Sequence, residues 1–146
     1  MAEMFTQQDA VTSIDKWTVD TSTITDMTHM LFYCINLTAI DVSNFNTSNV
    51  TNMMGMFSNC HKLTAIDVSN FDTSNVTDMS YMFYSCGNLT SLNLSNFDTS
   101  NVTNMQNMFQ NCRKLKTVTV AENEKLLAVL PGGVWTYFGG AYHLVT

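Results

Sequence analysis

The chain has 146 residues, of which 45% are hydrophobic and only 12% are charged, and its net charge is −6 at pH 7. This length predicts a single domain. The acidic balance disfavours nucleic acid and anionic membrane surfaces as partners, because both are bound mainly through Lys and Arg. No run of 18 apolar residues occurs, so we expect no membrane insertion.

Residues 1–13 precede a repeating pattern and are predicted to form an N-terminal cap. They lack the basic segment followed by an apolar segment that is typical of a signal peptide. We therefore expect either a protein that is not secreted by that route or a piece of a longer secreted protein.

Residues 14–120 are predicted to form four repeats of 26 residues, because one residue type recurs at each of several positions of that period. Cysteine occurs once per repeat, and so does methionine at two positions. Side chains 26 residues apart are predicted to stack in one apolar column. The predicted core ladder consists of Cys34, Cys60, Cys86, Cys112, Met30, Met56, Met82 and Met108.

Each repeat has two apolar patterns. Leu63, Ile66 and Val68 follow the L-x-x-L-x-L pattern of a leucine-rich repeat and predict a short strand. Met79, Met82, Phe83 and Cys86 then recur at i, i+3, i+4 and i+7, which predicts one buried stripe of a short helix. The predicted fold class is an α/β repeat, a leucine-rich-repeat solenoid with short parallel strands on one face, short helices on the other, and terminal caps.

Residues 121–146 break the period and are predicted to form a C-terminal cap. The string AENEKLLAVLP is consistent with a short helix or an extended lid. The string VWTYFGGAYHLV predicts two strands joined at Gly139-Gly140, a typical hairpin turn. The oligomeric state is not predicted.

The cysteine column does not have the spacing of a metal site, because no C-x-x-C pair occurs. We expect four reduced, buried thiols, and we predict no metal and no cofactor. No nucleophile motif, phosphate loop or catalytic constellation is recognisable, so we expect that the protein is not an enzyme.

The Thr, Ser and Asn columns have three interpretations. The first is local capping and turn hydrogen bonding, repeated in every unit. The second is N-glycosylation, since Asn49, Asn75 and Asn101 each begin an N-x-T sequence. The third is an outward-facing threonine ladder that binds ice.

The repeats resemble the BspA-like leucine-rich-repeat family of bacterial surface proteins. Two strings carry the resemblance, LTAIDVSNFDTSNVTDMSYMFYSC at residues 63–86 and LSNFDTSNVTNMQNMFQNC at residues 94–112. The resemblance implies a leucine-rich-repeat solenoid with roles in adhesion and cell contact. Similar repeats occur in virion proteins, and the missing signal peptide and anchor favour that alternative.

Positions that differ between repeats are expected to be exposed and available to a partner. Tyr33, Tyr81 and Tyr84 are the candidate anchors, because tyrosine is enriched at interfaces. The strand face offers a second candidate surface, formed by Asp41, Asp67 and Asn93.

The predicted function is a non-enzymatic binding module that contacts a protein or glycan at a bacterial cell surface. The alternative is a structural or receptor-binding component of a phage virion, and ice binding is a remote third.

Overall fold

The computed structural model describes residues 2–15, 18–121 and 123–145. Parts of the two predicted caps and of the first repeat lie outside the described residues, namely Met1, Lys16, Trp17, Glu122 and Thr146. The elements in chain order are β1 (Ser13–Ile14), β2 (Ala39–Ile40), β3 (Ser91–Asn93), β4 (Thr117–Thr119), α1 (Glu124–Leu127), β5 (Val134–Phe138) and β6 (Ala141–Val145).

The strands form two small sheets. β1 and β2 pair in parallel, with Ile14 beside Ile40. The second sheet has the order β3-β4-β6-β5, in which β3 and β4 are parallel and the other pairs are antiparallel. Val118 of β4 lies beside Leu92 of β3 on one side and beside Tyr142 of β6 on the other. The C-terminal hairpin therefore pairs directly with the last strand of the repeats.

The segments predicted to be helices are instead turns that hydrogen-bond to one another across repeats. Within the third of them, the N–H of Met79 donates to the carbonyl of Asn104 at 2.9 Å, and that of Tyr81 donates to Gln106 at 3.0 Å. Equivalent bonds join the other repeats. We term this array the turn ladder, which comprises residues 27–34, 53–60, 79–86 and 105–112.

The prediction of an α/β leucine-rich-repeat solenoid with a helical face was therefore wrong. The structure is built from small β-sheets and turns, and the α-helix of the described residues is the four-residue α1. The physical reason is the direction of the amides. Alternate N–H groups of a turn segment point to the next repeat, while others close short turns, as in the bond from Met82 N to Met79 O at 3.3 Å. An α-helix would direct every N–H back to the residue four positions earlier.

Left-handed backbone conformations also exclude a helix in these segments. Tyr81 and Ser85 both have a φ of +57°, and the same two positions are left-handed in each of the other turn segments. Glycine and asparagine tolerate this conformation, and they hold these positions at Gly55, Asn59 and Asn111.

The core consists of side chains stacked from one repeat to the next. All eight residues of the core ladder are buried, with exposed fractions of at most 1%. The rings of Phe57 and Phe83 stack at a centroid distance of 5.6 Å, and those of Phe83 and Phe109 stack at 5.9 Å. Similar side chains at one position of the period therefore fill one continuous column.

Three cysteine thiols donate a hydrogen bond to a carbonyl of the preceding repeat, as from Cys86 Sγ to Phe57 O at 3.1 Å, and Cys34 Sγ donates to Phe5 O before the repeats at 3.0 Å. Burial raises the pKa of the Cys60 and Cys112 thiols to about 12, and it raises that of Cys86 well above its usual value. The thiolate is the reactive form of cysteine. All four cysteines are free, and all four are buried.

We expect the thiols of the folded protein to resist modification. At about pH 8, an exposed cysteine reacts readily with DTNB because an appreciable fraction is thiolate. The folded protein should release little of the coloured thionitrobenzoate from DTNB. Protein unfolded in guanidinium chloride should release one equivalent of thionitrobenzoate per cysteine. Rapid reaction of the folded protein would contradict the buried column.

Polar side chains form two further ladders. Thr47 Oγ1 accepts from the N–H of Asp72 at 2.8 Å and donates to its carbonyl at 3.0 Å, and the pattern recurs along the column. Asn75 Nδ2 donates to the carbonyl of Ser48 at 2.8 Å, with equivalents at Asn49 and Asn101. These contacts support the interpretation as turn hydrogen bonding, because one N–H of each asparagine amide is used between repeats.

The C-terminal segment continues these contacts beyond the last repeat. Asn123 caps α1 by accepting from the N–H groups of Lys125 and Leu126. Its Nδ2 donates to Thr99 Oγ1 at 2.8 Å, and its N–H donates to the hydroxyl of Tyr142 at 2.6 Å. The last threonine of the polar ladder is therefore paired by the segment that follows the repeats.

Candidate functional site

Two of the three tyrosines proposed as anchors lie together. Tyr81 and Tyr84, both on the third turn segment, pack edge to face with their ring centroids 5.5 Å apart. They form one side of a cavity of about 460 Å³ that crosses three repeats. We term it the aromatic groove, which is lined by His29, Phe32, Met54, Ser58, Asn59, Tyr81 and Tyr84.

Gly55 makes room for one of the rings of the groove. Positions 29, 55, 81 and 107 are one period apart, and Gly55 contributes no side chain between His29 and Tyr81. The His29 ring occupies that space, because a Cβ atom on Gly55 would lie 2.7 Å from His29 Nε2. The φ of Gly55 is +61°, which also favours glycine. The missing side chain lets the His29 ring lie over the backbone of Gly55, where the ring lines the groove.

The opposite side of the groove consists of His29 and Phe32, whose ring centroids are 4.8 Å apart. His29 Nδ1 lies 4.0 Å from a carboxylate oxygen of Glu3. Asn59 Nδ2 donates to Ser58 Oγ at 3.0 Å. The groove is thus mainly aromatic, with a small number of polar atoms, which is the composition typical of binding sites.

The expectation that all variable positions are exposed was wrong. Gly55 is buried, and Tyr81 and Tyr84 are half-buried. Ser58 is 2% exposed and Ser80 is 1% exposed. Ser80 Oγ donates to Asp78 Oδ1, and its N–H donates to the same oxygen at 2.8 Å. Variation between repeats at these positions therefore reflects different local packing and hydrogen bonding.

Tyr33 does not line the aromatic groove. It is 42% exposed, and its ring lies 5.7 Å from Phe32 and 6.3 Å from His61 between centroids. It extends the aromatic surface from the edge of the groove toward His61.

The strand-face candidates lie elsewhere and serve turns. Asp41 and Asp67 line a smaller cavity of about 100 Å³. Asp41, Asp67 and Asn93 are exposed, and each side chain accepts the N–H of the residue two positions later. Hydrogen bonding from the side chain and then the backbone of Ser43 lowers the pKa of Asp41, and Ser69 does the same for Asp67. Their position is explained by turn geometry.

Groups that could hold a metal ion are not found in the described part of the chain. The helices of the same residues include none that is long and apolar enough to cross a membrane. The chemistry available at the aromatic groove is therefore contact with rings, a thioether and a few hydrogen-bonding atoms.

The sequence analysis missed His29, Phe32, Met54 and Gly55 as parts of the site. The signal was present, because a glycine at position 55 falls in a column whose neighbours are His29 and Tyr81. That glycine points to a site only when residues one period apart are known to be adjacent in space.

Fold and groove together define a β-rich repeat protein with a preformed aromatic site on its turn ladder. Residues 1–121 match the family model described as "Mycoplasma protein of unknown function, DUF285", and the chain belongs to that family. No curated protein and no solved structure gives a significant match. The resemblance to BspA-like surface proteins stays a prediction.

Proposed function

We propose that this protein is a non-enzymatic binding module that takes an apolar group of a protein or glycan partner into the aromatic groove. The observation that carries the proposal is the cavity that Tyr81 and Tyr84 form with His29 and Phe32. Tyrosine offers a large contact area with few rotatable bonds, so it loses little entropy on binding.

The groove is held by backbone contacts. Tyr81 N donates to Gln106 O at 3.0 Å, and Tyr84 N donates to Tyr81 O at 3.0 Å. Gly55 N donates to Ser80 O at 2.9 Å. Because the walls are fixed before the partner arrives, binding requires little ordering of the protein.

The resemblance to bacterial surface proteins supports a cell surface as the place of contact. The net charge of −6 favours a partner that is neutral or basic around the contact, since like charges across an interface weaken association. The virion alternative has no specific structural observation in its favour.

For ice binding, the column of Thr21, Thr47, Thr73 and Thr99 is buried and cannot face outward. A second column is exposed, and three of its hydroxyls each donate to a backbone carbonyl of the preceding repeat, namely those of Thr51, Thr77 and Thr103. Hydrogen bonding between repeats therefore already accounts for the exposed column.

The proposal is tested by presenting the protein to arrays of extracellular matrix proteins and of glycans. For each partner found, Tyr81→Ala is expected to weaken binding by at least about 2 kcal/mol, the size of an interface hot spot. The control is Phe138→Ala, which removes an aromatic ring that is 59% exposed on β5, outside the groove. Equal affinity of the Tyr81→Ala and Phe138→Ala variants, or the absence of any partner, would reject the proposal.

A further inference from the structure

A second cavity lies at the C-terminal ends of the turn segments and shares no lining residue with the aromatic groove. Its volume is about 320 Å³. We term it the Gly87 notch, which is lined by His61, Ser85, Gly87, Asn111 and Arg113. Four of these five residues carry polar or charged side chains, so the notch suits a different kind of ligand from the aromatic groove.

A missing side chain creates this cavity. His61, Gly87 and Arg113 occupy one position of the period in three successive repeats. Successive repeats lie about 4.8 Å apart where they pair as strands do. The backbone positions of His61 and Arg113, which have one repeat between them, are therefore roughly 10 Å apart. That gap accommodates one sugar ring. A Cβ atom on Gly87 would meet only the carbonyl oxygen of Asn111, at 3.8 Å, so packing does not require glycine here.

The notch has a cation available for a ligand. The Arg113 side chain is exposed and forms no hydrogen bond or ion pair with any described residue. The chain holds only six Lys and Arg residues, and three of them are a lining residue of the notch or its direct neighbour in sequence, namely Lys62, Arg113 and Lys114. A guanidinium presents paired N–H donors that match a carboxylate. This corner of an acidic protein is therefore suited to an anion.

His61 adds a hydrogen-bond acceptor at the other side. Its Nδ1 lies 2.9 Å from the carbonyl oxygen of Ser85, so Nδ1 carries the hydrogen. In the neutral ring Nε2 then accepts a hydrogen bond. Asn111 Nδ2 donates to Ser85 Oγ at 3.3 Å, and the Tyr33 ring lies 6.3 Å from the His61 ring. A hydrogen-bond acceptor at this side suits a ligand that carries hydroxyl groups.

We propose that the Gly87 notch binds the carboxylate-bearing sugar, of the uronic acid class, in an acidic glycan. Arg113 pairs with the carboxylate, and His61 Nε2 accepts from a sugar hydroxyl. A plain carboxylate would use only the first of these groups, and a neutral sugar only the second. This site shares no lining residue with the aromatic groove, although Asn111 Nδ2 of the notch donates to the hydroxyl of Tyr84 at 3.4 Å. The proposal goes beyond the function proposed for the groove.

The test is to titrate the full chain with methyl β-D-glucuronide and, separately, with methyl β-D-glucoside. The amide signals in the NMR spectrum are the readout. These probes differ only in the carboxylate. We expect the glucuronide to shift the signals of His61, Gly87 and Arg113 and to bind at least about tenfold more tightly than the glucoside, as loss of a charge-assisted pair implies. Acetate binding as tightly as the glucuronide would reduce the notch to a general anion site and overturn the proposal.

Two variants show whether the glucuronide binds at the Gly87 notch. Arg113→Gln is expected to weaken glucuronide binding at least about tenfold. Lys116→Gln, which makes the same change of net charge outside the notch, should alter binding less than about twofold, since exposed charges are screened. Equal losses in the two variants would show attraction by net charge alone and would overturn the site.

Gly87→Leu fills the notch without a backbone clash and should abolish binding while the melting temperature stays unchanged. Gly87→Ala, which adds only the tolerated Cβ, provides the same test with a smaller expected loss. Tyr81→Ala should leave glucuronide binding intact, so failure of this proposal is distinguishable from failure of the aromatic groove. Undiminished binding in folded Gly87→Leu protein would contradict the proposal.

Discussion

Replacing Phe83 with alanine is expected to lower the free energy of unfolding by about 3–5 kcal/mol, the usual cost of truncating a buried phenylalanine. The ring of Phe83 is 0% exposed and stacks between Phe57 and Phe109 at 5.6 Å and 5.9 Å. Its removal leaves a cavity in the middle of a column, where the neighbouring repeats are held by backbone hydrogen bonds and cannot close in.

Urea unfolding followed by circular dichroism measures this effect. The matched control is Phe138→Ala, which removes the same side chain from a site that is 59% exposed, where a loss under about 1 kcal/mol is expected. Similar losses of unfolding free energy in both variants would mean that the stacked phenylalanines do not stabilise the core.

Replacing Thr73 with valine should have the second largest effect. Thr73 is 1% exposed, and its hydroxyl accepts from Asp98 N at 2.8 Å and donates to Asp98 O at 3.1 Å. Valine preserves the shape but leaves a backbone donor and an acceptor of the next repeat without their partner. The expected loss of stability is about 1–3 kcal/mol.

The matched control is Thr77→Val. Thr77 Oγ1 donates to Thr51 O at 3.2 Å, but Thr77 is exposed. Water replaces that bond, so a change within about 0.5 kcal/mol is expected. If thermal and urea unfolding showed the control to be as destabilised as Thr73→Val, the buried threonine ladder would not be a stabilising contact.

Both cavities proposed as sites depend on a single feature of a repeat structure. Where every repeat places a side chain in the same column, a glycine in one repeat leaves a gap one repeat wide. The His29 ring fills the gap at Gly55 and lines the aromatic groove there, whereas Gly87 lines a polar notch between His61 and Arg113. The neighbouring side chains in the column then decide which chemistry each gap can accept.

The stacking of residues 26 positions apart was predictable from the sequence, because each column repeats one residue type. Phe57, Phe83 and Phe109 lie over one another in the structure. The strands β5 and β6 flank Gly139-Gly140, where alternating apolar residues and two glycines are typical of a hairpin. The aromatic pair at Tyr81 and Tyr84 was recognisable as a candidate surface from residue type alone.

The backbone of the turn segments was not predictable in the same way. Met79, Met82, Phe83 and Cys86 are all buried, as the i, i+3, i+4, i+7 pattern indicates. That pattern records which side chains face inward, and both a helix and a turn segment with left-handed residues satisfy it. The direction of each N–H decides between them, and the amide of Phe83 bonds to Met108 in the next repeat.

The amino-acid sequence by itself determined the period, the columns and the identity of the buried side chains, because like residues recur wherever like contacts are made. Only the tertiary structure decided that alternate amides of each turn segment bond across repeats, and that a glycine opens a site between side chains from the repeats on either side. Those contacts join residues about 25 to 27 positions apart, and their geometry depends on where neighbouring repeats lie in space.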